Sequence, residues 1–142
     1  MRDVDWAVGH TAYVDAADLI WNRAALNDGG SSRGLGDATL ATALAFHGLA
    51  MSGGVLDAVE RMAPDVENIE DAFRWLGLDG VSSLLASVRQ DIVAGVLDDD
   101  DLADGLERDA DERYGVLLPS DAVLNAAFRA RLKEAPDAFA RP

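Results

Sequence analysis

The feature that most constrains this chain is the spacing of its apolar residues, which recur at intervals of three and four. Side chains at this spacing share one face of an α-helix, whereas a half-buried strand alternates at every second residue. No alternating pattern longer than a few residues occurs, so the sequence predicts an all-helical fold. The clearest helical run follows Asp79 and consists of Val81, Leu84, Leu85, Val88, Ile92 and Val96.

Capping residues and helix breakers divide the first part of this pattern into separate helices. The first predicted helix follows the cap candidate Thr11 and carries on one face Tyr13, Ala17, Ile20, Trp21 and Ala24. Residues 27–36 are rich in Gly and small polar residues, so we expect an exposed and mobile loop. Asp37 is predicted to cap a second helix, whose shared face carries Leu40, Leu44, His47 and Met51.

Similar signals divide the rest of the chain. Asn68 is predicted to cap a short helix, and Gly77 is predicted to end that helix in a left-handed conformation. A further helix is predicted over about residues 99–114, and a last one over about 121–135. The breaks between helices are Ser52-Gly53-Gly54, Pro64, Pro119 and Pro136. With 142 residues, the chain is predicted to form one compact array of six to eight helices.

The charge balance is strongly acidic, with 26 Asp and Glu against 12 Lys and Arg, a formal net charge of −14. This charge repels nucleic acid and anionic membranes and favours basic partners. We therefore predict no direct nucleic-acid binding and no membrane association. The preference for Asp and Arg over Glu and Lys also fits a GC-rich genome or adaptation to high salt, so the acidity could reflect the organism alone.

The acids concentrate in residues 98–112, where nine occur and only Arg108 opposes them. On a helix, an inward arc of about 120° would hold Leu102, Ala103, Leu106, Ala110 and Tyr114, and every acid except Asp99 falls outside that arc. The resulting stripe is roughly 21 Å long, or about 2.3 Å per charge, against about 1.7 Å for duplex DNA. We predict a partner-binding surface, the acidic face, made of Asp98, Asp100, Asp101, Asp104, Glu107, Asp109, Asp111 and Glu112. The alternative is that residues 98–101 merely begin a helix and the remaining acids form a solvated surface.

Other chemical motifs are weak or missing. There is no cysteine, and His10 and His47 lack the spacing of a metal site. The two Gly-Gly pairs are not followed by the Gly-Lys-Ser/Thr of a phosphate loop. We therefore predict no catalytic residue, no metal and no cofactor. The acidic start of the chain does not resemble a signal peptide, which predicts a cytoplasmic protein.

Three segments carry a resemblance to a known family. They are Ala50-Met51-Ser52-Gly53-Gly54-Val55, then residues 71–78 leading into Val81-Ser82-Ser83-Leu84-Leu85, then residues 124–132 followed by Pro136-Asp137-Ala138-Phe139. Through them the span 49–139 resembles the DNA-mimic-protein domain family. Ser52 stands where the family has Asn. Val55 and Leu56 stand where an aromatic-rich segment usually follows the turn in the family. The resemblance implies a helical fold, possible homodimerisation, and a function exerted by binding.

Three hypotheses follow for the function. The leading one is a non-enzymatic acidic protein that engages a basic protein through the acidic face, such as a DNA-binding regulator or a nuclease toxin. The alternative is a small helical enzyme or ligand-binding domain with a pocket near His47 and the Ser52-Gly53-Gly54 turn. The third is an accessory domain whose acidity only reflects its host.

Overall fold

The computed structural model describes residues 15–27 and 34–141, and in this part of the chain it contains seven α-helices and no β-strand. The prediction of an all-helical array of six to eight helices is confirmed. Outside the described residues lie the predicted cap Thr11, the neighbouring His10 and Tyr13, and most of the predicted loop over 27–36. The helices are α1 (Ala16–Asn27), α2 (Leu35–Gly53), α3 (Val55–Met62), α4 (Val66–Trp75), α5 (Asp79–Val93), α6 (Asp100–Leu117) and α7 (Asp121–Glu134).

Helix α2 lies at the centre of the domain and packs against α1, α3, α4 and the C-terminal segment. Its buried positions include several alanines, whose small side chains let neighbouring helices approach closely. Phe46 on α2 packs edge-on against Phe73 of α4, with ring centroids 5.8 Å apart. Met51, predicted to share the inward face of α2, is exposed, two residues before the helix ends, whereas its neighbour Ala50 is buried.

The predicted glycine breaks are confirmed by left-handed backbone conformations. Gly54 separates α2 from α3 with a φ of 95°, and Gly77 follows α4 with a φ of 82°. At the end of α4, Gly77 N–H donates to Arg74 O at 3.0 Å and Leu78 N–H donates to Phe73 O at 2.8 Å. This pair of bonds is the Schellman arrangement, which a glycine permits at little steric cost.

Two predicted helix caps are wrong. Helix α2 begins at Leu35, so Asp37 lies inside its first turn and is buried. The Asp37 carboxylate binds Arg23 of α1 and accepts a hydrogen bond from Ala140 N–H at 2.8 Å. Helix α4 begins at Val66, so Asn68 also lies within the helix rather than before it. In the case of Asp37, a partner distant in sequence displaced the local capping role.

Helix α6 is longer than predicted and ends at Leu117. Asp99 caps it, since its side chain accepts hydrogen bonds from the backbone N–H groups of Asp101 and Leu102 at 3.0 and 3.1 Å. The helix packs on α3 and α5 and buries Ala110 and Tyr114. Leu102, predicted to face inward, is 57% exposed, because it lies in the first turn beyond the main contact.

The remaining predicted core is largely confirmed. Val81, Leu84, Leu85 and Val88 are buried on α5, whereas Val96 lies beyond it in a 3-10 turn over Val96–Asp98. Phe128 and Phe139 pack edge-on with centroids 5.5 Å apart, and α7 ends before Pro136 as predicted. Among the described helices, none is both long and apolar enough to cross a lipid bilayer.

Candidate acidic interaction site

All nine acids of residues 98–112 are exposed, eight of them forming the acidic face. At about 100° per residue, the helical members fall into two rows along α6. One row contains Asp101, Asp109 and Glu112. The other lies nearer to α3 and contains Asp100, Asp104, Glu107 and Asp111. The carboxylates are therefore spread along the helix, and no group of three or more potential metal ligands forms among the described residues.

Most carboxylates of the acidic face have no polar partner within the described part of the chain. Asp109 alone forms an ion pair, with Arg113 at 4.0 Å. Asp111 binds a backbone N–H group. The six without an ion pair or side-chain hydrogen bond are Asp98, Asp100, Asp101, Asp104, Glu107 and Glu112. These six groups remain available to an external cation.

The concentration of charge at residues 98–112 is local. This segment holds nine of the 26 acids and one of the 12 cations, so it carries −8 of the net −14 in 15 residues. The other 127 residues hold 17 acids and 11 cations and carry the remaining −6. An adaptation of the whole proteome would distribute the charge more evenly, so it does not by itself account for this surface.

Asp111 has a structural role that the sequence analysis missed. Its Oδ1 accepts a hydrogen bond from Val55 N–H at 2.8 Å, so a residue of α6 caps the N-terminus of α3. A Cβ on Gly54 would lie only 3.2 Å from the same carboxylate. The one sequence signal was that α3 starts after Gly53-Gly54, which carries no side chain able to cap it.

An apolar groove adjoins the C-terminal end of the acidic face. It has a volume of about 530 Å³ and lies between α5 and α6. Val116, which lines it, is 81% exposed. The lining residues are Gly80, Ser83, Glu112, Arg113, Val116 and Leu117. Charged and apolar surface are thus continuous at this end of α6.

His47, the centre of the alternative hypothesis, is buried between helices. Its Nδ1 lies 2.8 Å from Tyr114 Oη of α6, and its Nε2 lies 3.0 Å from Asp121 Oδ1 of α7, without the alignment of a hydrogen bond. Burial lowers the pKa of His47, although the charge of Asp121 opposes this shift. Burial also raises the pKa of Tyr114. Because both rings are neutral and packed, they form a polar link in the core.

The turn next to His47 is also engaged internally. Ser52 Oγ donates to Gly48 O at 3.0 Å, which keeps this hydroxyl within its own helix. A pocket of about 330 Å³ lies on another part of α2, between Thr39 and Thr42 on that helix and Asn68 and Trp75 on α4. The hypothesis of a ligand-binding pocket beside His47 and the Ser52-Gly53-Gly54 turn stays a prediction.

Comparison with known proteins adds no relative: no protein-family model, curated protein or solved structure matches the chain. The resemblance of residues 49–139 to the DNA-mimic-protein domain family therefore stays a prediction.

Proposed function

We propose that this chain is a non-enzymatic acidic interaction domain whose acidic face binds a basic protein surface. A DNA-binding regulator or a nuclease is the kind of partner that this chemistry suits. The observation that carries the proposal is the set of exposed carboxylates over residues 98–112, six of which have no cation or hydrogen-bond donor among the described residues.

The physical basis is competition with nucleic-acid phosphates for the same basic surface. The seven acids of α6 from Asp100 to Glu112 span roughly 18 Å, or about 2.6 Å per charge, which is comparable to, though sparser than, the roughly 1.7 Å of duplex DNA. Opposite charges speed association and make it sensitive to salt. Apolar contacts beside the charges, such as those available at Val116, would supply further affinity.

The negative charge of the acidic face also bears on how two copies of the chain could associate. Two copies of the acidic face would repel each other, since like charges brought together at an interface are unfavourable. The homodimer that the family resemblance implies would therefore use a different surface and would leave the acidic face free for a partner.

The direct test is capture of partners from a lysate of the source organism, using the tagged chain at low and at high salt. We expect a basic DNA-binding protein or nuclease that is released as the salt concentration rises. The test variant combines Asp101→Asn, Asp104→Asn and Glu107→Gln. Asp111 is left intact because it caps α3.

A matched control removes the same charge elsewhere. Asp65→Asn, Asp137→Asn and Glu60→Gln change three exposed acids that form no ion pair with any described residue. The control variant should capture the partner as the original chain does, and the acidic-face variant should not. Equal capture by both variants, or capture that ignores salt, would refute the proposal.

A further inference from the structure

One line of residues along α6 has the pattern of a helix-packing surface. Leu102, Gly105, Asp109, Glu112 and Val116 follow one another at intervals of three and four, so they lie in a single row about 21 Å long. This spacing is the one by which two helices pack along a shared seam. We call this row the α6 seam. It is apolar at both ends and acidic in the middle.

No described helix covers the α6 seam. Its two apolar residues, Leu102 and Val116, are both strongly exposed although they lie in a row that would suit burial. At Gly105 an added Cβ would meet no atom within 4 Å, so the space in front of it is open. A glycine at this point lets the backbone of a second helix come close.

The groove described above provides a seat for a side chain at the Val116 end. Leu117 is packed directly over Gly80 of α5, since a Cβ on Gly80 would lie 2.8 Å from Leu117 Cδ2. With Val116 and Ser83, these residues line a groove whose volume of about 530 Å³ can receive one large apolar side chain. Glu112 lies both in the groove wall and in the α6 seam.

We propose that the α6 seam and its groove bind an amphipathic, basic helix of the partner protein. Its apolar residues would sit against Leu102 and Val116, and its Lys or Arg side chains would lie opposite Asp109 and Glu112. The charge of the seam selects this occupant. An acidic or uniformly apolar helix would leave Glu112 facing a like charge or buried without a partner, and it would add no donor to the exposed pair of Asp109 and Arg113, which are 4.0 Å apart. The inference rests on the proposed function and specifies the partner's binding segment.

The probe is a synthetic helical peptide, labelled with fluorescein, whose two leucines are 14 residues apart to match Leu102 and Val116. Lysines occupy the positions between them that face the seam. A second peptide of the same composition has its leucines moved to the opposite side. Fluorescence anisotropy with the full chain at about 0.15 M salt, where the Debye length is about 8 Å, gives both dissociation constants, and we expect the first peptide to bind more tightly by about tenfold.

Variants of the chain separate the seam from the general charge. Val116→Ser should weaken the first peptide by about tenfold, because one apolar anchor is lost. Asp109→Asn with Glu112→Gln should weaken it by about fivefold. The matched control is Asp104→Asn with Glu107→Gln, which removes the same charge from the other row. It should change binding of the peptide, which covers only the α6 seam, by less than about twofold, whereas capture of the whole partner, which contacts both rows, depends on these acids too.

The binding position can be read independently from backbone amide shifts. On addition of the first peptide we expect the NMR signals of Gly105 and Gly80 to move, whereas that of Gly48 on α2 stays in place. This pattern with the expected order of variants would support the α6 seam. Equal losses from both acid pairs, with no effect of Val116→Ser, would overturn it.

Failure of the seam and failure of the proposed function give different results. If neither peptide binds but the lysate yields a basic partner that depends on the acidic face, the seam is wrong and the function stands. If the lysate yields no salt-sensitive basic partner, the proposed function fails whatever the peptides do. Peptide binding would then show that the α6 seam accepts a basic helix, but not that it does so in the proposed function.

Discussion

Two helices of this protein each contain a glycine next to an aspartate, and the two pairs have opposite surroundings. Gly36 and Asp37 lie in α2 and are both buried, one against Phe139 and the other against Arg23. Asp104 and Gly105 lie in α6, where Asp104 is exposed and Gly105 faces open space. The same two residue types thus pack against the core in α2, whereas in α6 they remain accessible to a partner.

The contrast extends to the other charges. Arg23, Arg89 and Arg129 each join two helices through carboxylates, as in the pair between Arg89 Nε and Glu70 Oε2 at 2.7 Å. Among the acids of α6, Asp109 alone has an arginine partner within residues 15–27 and 34–141, and that arginine is on the same helix. Several acids outside α6, such as Asp37, Glu70 and Asp18, therefore link helices, whereas most acids of the acidic face form no such link.

The largest expected effect concerns the two aspartates. Asp37→Ala removes the buried carboxylate that pairs with the partly buried Arg23 and accepts from Ala140 N–H, so it should lower the free energy of unfolding by about 3–5 kcal/mol. Asp104→Ala should change it by less than about 0.5 kcal/mol. Urea denaturation followed by circular dichroism measures both. Equal losses for the two variants would remove the contrast.

The two glycines should respond with opposite signs. In Gly36→Ala, the new Cβ would lie 2.8 Å from the Phe139 ring and 2.9 Å from Ala138 O, so we expect a loss of about 1–3 kcal/mol. Gly105→Ala meets no neighbour and improves helix propensity, so it should stabilise the protein by about 0.5–1 kcal/mol. Thermal and urea unfolding give the signs. Stabilisation by both changes would show that the Phe139 contact is loose.

A third pair tests the exception within the acidic face. Asp111→Ala removes the cap of α3 and should cost about 1 kcal/mol, and amide hydrogen exchange at Val55 should speed up. Asp109→Ala breaks only an exposed contact of 4.0 Å and should cost less than about 0.5 kcal/mol. If the two variants lose equal stability and Val55 exchange does not change, Asp111 is not a cap.

The helices themselves could be predicted from sequence because their signals are local. Apolar spacing identified α5, and glycines with positive φ marked the ends of α2 and α4. Asp37 was misassigned because its partners, Arg23 and Ala140, are 14 and 103 residues away. A capping residue and a buried ion-pair residue look alike until the fold brings such partners together.

The exposure of the acidic face could be predicted from sequence, but the capping role of Asp111 and the groove beside Val116 could not. Helical geometry alone was enough to direct the acids outward, since the apolar arc of α6 faces α3 and α5. The bond from Asp111 to Val55 joins residues 56 apart, and the groove at Val116 depends on how α5 packs on α6. Neither follows from the pattern of one helix, because both require the relative placement of two.

The smallest expected effect is one of pH dependence, and it concerns the inner side of α6. Burial holds the pKa of His47 in the folded protein below its ordinary value of 6.5, with Tyr114 of α6 and Asp121 of α7 as the ionisable groups that face it. The unfolded chain therefore binds the proton more readily. This histidine's contribution to stability is complete above pH 6.5 and is lost progressively as the pH falls from that value through the lower pKa of the folded protein. At pH 7.5 both states carry a neutral imidazole and the contribution no longer depends on pH.

His47→Gln should consequently show a shallower loss of stability between pH 7.5 and 5.5 than the original chain, measured as the shift of the urea midpoint. The carboxylates of the acidic face are common to both proteins and cancel in this comparison. An unchanged slope would mean that His47 takes up a proton as easily in the fold as in the unfolded chain, and that acid sensitivity near neutral pH has its source elsewhere.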